Sequence, residues 1–246
     1  MGYPVVHFEI GGPDAGALGD FYAALFGWGM TPVPDIGYTL VDTQGGTGIN
    51  GGIEQGADGT TWMTFYIQTD DLQTALDKIN LLGGKTSTPI TELPGMVTFA
   101  QFEDPDGLIV GLVLGPANSD PASAQGPTPG SGAPVDWFEL LGSDPDRSQR
   151  FYGEIFGWQS SEAGPGYRMV STGAASGIQG GIGIGQAGSW ATVYASVDDV
   201  EAVLAKAVEL GGDRVYGPDA VDDHMQTGAL RDPAGNVFGV YHHAPH

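Results

Sequence analysis

Apolar and polar residues alternate from position 4 to position 10, with Val6, Phe8 and Ile10 on one face and Val5, His7 and Glu9 on the other. That period of two is the mark of a half-buried strand. Apolar positions then change to helical spacing at Leu18, Phe21, Tyr22, Leu25 and Phe26, with Asp14 placed to cap the start and Gly27 to stop the end. The helix is expected to cover the Phe8 face and to leave His7 and Glu9 lining a cavity. Short strand-like runs follow at 38–41 and 49–53, broken by glycines. A second strand at 62–69 leads into a helix expected to be capped by Asp70, with the stripe Leu72, Ala75, Leu76, Ile79 and Leu82 and a stop at Gly83-Gly84. Strands at 97–102 and 108–114 flank the turn Asp104-Pro105-Asp106-Gly107, where proline sets φ and glycine supplies a positive one.

Roughly 130 residues later the pattern returns, a period suited to a duplicated domain rather than a solenoid repeat. Val6-His7-Phe8-Glu9-Ile10 becomes Asp136-Trp137-Phe138-Glu139-Leu140, and Phe21-Tyr22 through Gly27-Trp28 becomes Phe151-Tyr152 through Gly157-Trp158. Asp104-Pro105-Asp106-Gly107 likewise becomes Asp232-Pro233-Ala234-Gly235. In the second copy Asp144-Pro145 opens the first helix, while Asp198 is expected to cap the second and Leu210-Gly211-Gly212 to close it. Between the copies a Pro/Gly/Ser-rich stretch has no apolar period, so the expected organisation is a module at 1–115, a linker at 116–133 and a module at 134–246.

The chain has 246 residues, 41% of them hydrophobic, enough for two ordinary cores. Thirty acidic residues against eight basic ones give a net charge of −22, which repels phosphate backbones and anionic lipid, so neither nucleic acid nor membrane is an expected partner. No apolar run approaches the ~20 residues of a spanning helix and no signal-peptide pattern opens the chain, so a cytoplasmic protein is expected. The absence of cysteine excludes disulfides and thiolate chemistry. So acidic a balance, with three lysines, raises the alternative of adaptation to high salt beside that of an ordinary solvated surface.

A strand, then FYxxxFGW, then an Asp-Asp-capped helix ending in Leu-Gly-Gly, then Asp-Pro-x-Gly before a last strand resembles the vicinal oxygen chelate superfamily, and does so in both halves. Glyoxalase I, extradiol dioxygenases and bleomycin-binding resistance proteins belong to it. The resemblance implies an α+β fold of two tandem modules, each of paired βαβββ units forming an open eight-stranded cup, packed as a pseudo-dimer within one chain. It also implies a divalent ion held by His and carboxylate groups on the first and last strands of each βαβββ unit.

Those ligand positions are poorly filled. His7 has the spacing of the first ligand, but its counterpart is Trp137; the last-strand carboxylate falls on Gly111 and Gly239, and the second His on Thr64 and Thr192. A catalytic metal wants about three protein ligands, and threonine and glycine do not supply them. No metal or other cofactor is therefore expected. The expected function is metal-independent binding of a small hydrophobic or aromatic molecule in one or both cups, by Trp62, Thr64, Tyr66, Trp137, Trp190, Thr192, Tyr194 and Tyr241. Glu9 and Glu139, with His7 in the first half only, are the candidates for metal-free proton transfer. The alternative is a lyase, isomerase or dioxygenase using Ni, Zn, Mn or Fe on His7 with Glu54, whose counterpart is Gly183. Whether the ligand is turned over stays open. The glycine-rich runs at 45–48 and 177–183 lack the phosphate-loop pattern and are expected to be strand edges or a lid.

Overall fold

Period-two and helical segments fold where the pattern puts them, in a computed structural model that describes residues 2–33, 36–115, 126–185 and 188–244. The first module runs β1 (Val5–Gly12), α1 (Ala15–Phe26), β2 (Gly29–Val33), β3 (Tyr38–Asp42), β4 (Asn50–Gln55), β5 (Trp62–Thr69), α2 (Leu72–Leu81), β6 (Lys85–Leu93), β7 (Val97–Glu103) and β8 (Ile109–Leu114). The second repeats it as β9 (Val135–Gly142), α3 (Pro145–Phe156), β10 (Gln159–Gly164), β11 (Tyr167–Ser171), β12 (Gln179–Ile184), β13 (Trp190–Ser196), α4 (Val200–Glu209), β14 (Asp213–Ala220), β15 (Met225–Arg231) and β16 (Val237–His243). Each module forms one open sheet of eight strands, in the orders β2-β3-β4-β1-β5-β8-β7-β6 and β10-β11-β12-β9-β13-β16-β15-β14. The chain is thus α+β, two tandem copies of paired βαβββ units.

Four end strands, β2, β6, β10 and β14, escaped the sequence pattern. They lie at the ends of the orders, and three contain a proline (Pro32, Pro89 and Pro218), which a sheet tolerates at its edge. Two helix caps also differ from expectation. Asp71 and Asp199, not Asp70 and Asp198, cap α2 and α4, accepting from Thr74 N and Ala202 N at 2.9 Å each. The reason is local: β5 runs on to Thr69, whose hydroxyl takes the Asp71 N–H at 3.3 Å, so the helix begins one residue later.

The chain groups into two compact units that do not follow the modules. Unit 1 comprises 1–7, 64–125 and 137–191; unit 2 comprises 8–63, 126–136 and 192–246. Within unit 1, α2 packs on α3; within unit 2, α1 packs on α4. The repeated motifs supply the anchors of each unit. In unit 2 the Tyr22 hydroxyl of α1 donates to Asp232 of the β15–β16 turn at 3.1 Å, and in unit 1 the Tyr152 hydroxyl of α3 donates to Asp104 of the β7–β8 turn at 3.1 Å. Each tyrosine ring stacks on the tryptophan that ends its motif, Tyr22 on Trp28 at 5.6 Å and Tyr152 on Trp158 at 5.4 Å. Those indoles in turn donate to the backbone just before a first strand, Trp28 to Ala133 O at 2.8 Å and Trp158 to Tyr3 O at 2.9 Å. Burial, and then the facing carboxylate, push both phenols well above the usual tyrosine range, so they remain donors.

The glycine runs are neither lids nor strand edges. Gly45 and Gly46 are held by 128–129 of the interdomain stretch, Gly46 N donating to Thr128 O at 3.2 Å and Gly45 bridging Pro129. Thr128 also bonds Asp42 through its amide at 3.0 Å and its hydroxyl at 2.6 Å. The expected linker is therefore hydrogen-bonded over part of its length; its residues 116–125 lie outside those described. In the second run, Gly180 and Gly181 belong to β12, an inner strand, where they lie against the Phe138 ring and the Tyr167 hydroxyl. A side chain at either would meet a ring, which is why glycine stands there.

Candidate functional site

The first-strand face of unit 1 carries His7, half-buried on β1, with its ring edge-on to Tyr66 at 5.9 Å between centroids. Burial lowers the His7 pKa to about 4, so its ring is neutral at physiological pH. The positions where the resemblance puts further metal ligands are used otherwise. Thr64 is fully buried and its hydroxyl donates to Ile109 O of β8 at 2.8 Å. Tyr66 pairs with Gly111 in the β5–β8 ladder and lays its ring on that glycine, so a Cβ at 111 would fall inside the ring. The Tyr66 hydroxyl accepts from Gln101 Nε2 at 3.0 Å.

Unit 2 repeats this. Thr192 is fully buried and donates to Val237 O at 2.8 Å, and Tyr194 pairs with Gly239 and covers it. The Tyr194 hydroxyl meets the Tyr216 hydroxyl at 3.0 Å. Glu9, only 6% exposed, accepts from Trp62 Nε1 at 2.8 Å, so these two expected site residues hold one another. Glu54 stands opposite Tyr38 in the β3–β4 ladder, half-buried, and burial raises its carboxyl. Tyr241 donates to Asp136 at 2.8 Å; burial raises both groups. Trp190 is half-buried at the start of β13.

Of the expected binding residues, Trp137 lines an open depression of about 450 Å³ in unit 1. Gln159, Ser161, Met169, Ser171 and Gln179 line it with Trp137, and none of these was singled out from sequence. Glu139 stands on the same strand two residues on, and its carboxylate accepts from the Tyr167 hydroxyl at 2.7 Å. Tyr167 was missed as well. A signal existed, because Tyr38 and Tyr167 recur at the period of the repeat and each faces a glycine of its neighbouring strand, Gly52 or Gly181.

A family-type divalent ion does not fit this donor set. Within unit 1 the ring of Tyr66 occupies the carboxylate position and Thr64 is committed to a backbone carbonyl, which leaves His7 as the imidazole of the set. Among the described residues no three His, Cys, Asp or Glu side chains come together as metal ligands. Likewise, among the described residues no helix is long and apolar enough to cross a membrane.

Two tandem modules of paired βαβββ units define the glyoxalase-like architecture. The model of the Glyoxalase/Bleomycin resistance protein/Dioxygenase superfamily matches residues 5–112 and that of the Glyoxalase-like domain matches 138–241. The chain is 31% identical to "Putative glyoxylase CFP32" of Mycobacterium tuberculosis (strain CDC 1551 / Oshkosh), across 94% of this chain and 92% of that protein. It is 29% identical to the anthracycline biosynthesis protein DnrV of Streptomyces peucetius, across 95% and 90%. The chain therefore belongs to the glyoxalase/bleomycin resistance protein/dioxygenase superfamily. Solved structures with the same fold include the Mn(II)-bound glyoxalase from Novosphingobium aromaticivorans, with TM-score 0.68, 15% identity and coverage of 98% of this chain and 82% of that one. The 2,3-dioxygenase LapB from Pseudomonas sp. KL28 has TM-score 0.67, 14% identity and coverage of 100% and 94%.

Proposed function

We propose that the chain is a small-molecule-binding protein of the glyoxalase/bleomycin-resistance type that holds a hydrophobic or aromatic ligand without a divalent metal. The observation that carries this is the pair of buried rings, Tyr66 over Gly111 and Tyr194 over Gly239, which fill the places where the resemblance calls for a metal-binding carboxylate. Aromatic and neutral polar side chains suit a small organic guest better than an ion. The name of the DnrV relative, which refers to anthracycline biosynthesis, is in keeping with an aromatic ligand. Trp62, Trp137 and Trp190 are the half-buried indoles offered to it, while His7, neutral at physiological pH, packs edge-on against Tyr66.

Calorimetric titration with 2-naphthol as probe, with and without excess EDTA, tests the proposal. Binding unchanged by EDTA and by His7→Ala, but weakened about tenfold or more by at least one of Trp62→Ala, Trp137→Ala and Trp190→Ala, is the expected result. Binding that EDTA or His7→Ala abolishes would favour the metal-dependent lyase, isomerase or dioxygenase instead.

A further inference from the structure

The depression in unit 1 is built from two rows of side chains across β9, β12, β11 and β10. In one, Trp137 pairs with Gln179, and Gln159 pairs with Ser171; in the other, Glu139 pairs with Gly181, Gly181 with Met169, and Met169 with Ser161. Partners across strands share a face, so these residues look out from the same side of the sheet. Gly181 leaves a gap in the second row, and Tyr167 reaches across it to Glu139.

The chemistry of this face is uniform in one respect: Trp137, Gln159, Ser161, Met169, Ser171 and Gln179 include no ionisable group. The carboxylate standing in their row, Glu139, is already bonded to the Tyr167 phenol at 2.7 Å. Met169 is 42% exposed, large for an apolar side chain, and its thioether adapts readily to flat guests. A volume of about 450 Å³ lies within the usual range for a small organic ligand. An anion would meet the repulsion of a chain carrying −22, and a cation would find no carboxylate among the lining side chains.

Resting on the metal-free binding function proposed above, we infer that this face of β9–β12 is the binding site for an uncharged aromatic molecule bearing hydroxyl or carbonyl groups. Its ring stacks on the Trp137 indole and rests on Met169, and the amide of Gln159 and the hydroxyls of Ser161 and Ser171 bond its polar rim. The first module does not offer the same surface. There His7 replaces Trp137 and Asp42 replaces Ser171, and Asp42 is bonded to Thr128.

Three naphthalene probes that differ in charge test the inference: 2-naphthol, naphthalene-2-sulfonate and 2-naphthylmethylammonium, titrated calorimetrically into the full chain and into Trp137→Ala, Met169→Ala and Trp62→Ala. The expected pattern is naphthol binding at least about tenfold tighter than either ion, and lost about tenfold or more in Trp137→Ala with a smaller loss in Met169→Ala. Equal or tighter binding of either ion overturns the uncharged class. Naphthol binding that survives Trp137→Ala but falls in Trp62→Ala overturns this site while leaving the general binding function standing. If no probe binds at millimolar concentration the inference fails, whereas the metal question is decided separately by titration of the ions themselves. Far-ultraviolet circular dichroism and the thermal midpoint identify any variant that fails to fold; Trp137→Phe then replaces Trp137→Ala, with a partial loss expected.

Discussion

Units 1 and 2 repeat one another where they are held together and differ where a ligand would be met. The anchors are nearly superimposable in chemistry: Tyr152 on Asp104 and Tyr22 on Asp232 at the same 3.1 Å, Trp158 on Tyr3 O and Trp28 on Ala133 O. The covered glycines repeat too, as do Thr64 and Thr192. On the strand faces the likeness is partial: the carboxylate recurs, but Trp137 stands where the first module has His7 and Ser171 where it has Asp42. Glu139 is held by the phenol of Tyr167 in unit 1, and Glu9 by the indole of Trp62 in unit 2. Duplication thus kept the interactions that pack each unit, which tolerate little change, and let part of the strand faces diverge.

The turns give the sharpest contrast. Asp106 of unit 1 gathers Ser143 through its amide at 3.2 Å and hydroxyl at 2.6 Å, the Ser148 hydroxyl at 3.0 Å, and the Arg147 guanidinium. Burial alone would raise the Asp106 carboxyl, but these donors hold it below the usual range. In unit 2 the same position is Ala234, and Asn236 instead ties its turn to Gly11 O at 3.0 Å. Asp106→Ala, which gives the first turn the sequence of the second, should therefore cost about 3 kcal/mol in urea unfolding, because Arg147 and two hydroxyls lose a buried acceptor. A cost near that of an ordinary surface change would mean the network carries no weight.

Filling the covered glycines comes next in size. Gly111→Ala and Gly239→Ala should each cost about 2 kcal/mol, the range for forcing a methyl into a packed ring, and Tyr66→Phe should not relieve it whereas Tyr66→Ala should. Removing the anchor hydroxyls is milder. Tyr22→Phe and Tyr152→Phe should cost about 1 kcal/mol each, nearly equal and nearly additive, since the two lie in separate units. Unequal losses would break the symmetry claimed for the anchors.

A pH slope reads the His7 ring separately. Burial lowers His7 to about 4 from 6.5, so between those values the unfolded chain takes up the proton and the folded chain does not. The neutral ring's contribution is whole above about pH 6.5 and is lost as pH falls toward 4. The wild-type chain should therefore lose stability between pH 7 and pH 5 more steeply than His7→Gln, measured at constant salt. Identical slopes would mean that the ring is solvated. Because a charge of −22 opposes itself, the thermal midpoint of both should rise with KCl.

How much was legible follows from which interactions are local. The spacing of Leu18, Phe21, Tyr22, Leu25 and Phe26 announces α1 because an amphipathic stripe is written within one segment. β6, with Pro89 and mostly exposed side chains, shows no period, since an edge strand is held by its neighbour's backbone rather than by a buried face. The Tyr-to-Asp anchors were visible only as recurring letters; that they are partners depends on the fold bringing Tyr22 and Asp232 together. Among site residues, Trp137 stood out because it breaks the repeat at His7. Gln159, Ser161 and Met169 did not, as only the register of β10 and β11 gives them a common face. Thr64 looked like a cavity residue and is instead spent on Ile109 O, 45 positions away.

The most direct test of metal-free binding is calorimetric titration of the chelator-stripped chain with Mn²⁺, Zn²⁺, Ni²⁺ and anaerobic Fe²⁺, repeated on His7→Ala. The prediction is that no ion binds stoichiometrically and that His7→Ala changes nothing. Micromolar or tighter binding at one ion per chain that disappears in His7→Ala would contradict it and return the first module to metal-dependent chemistry.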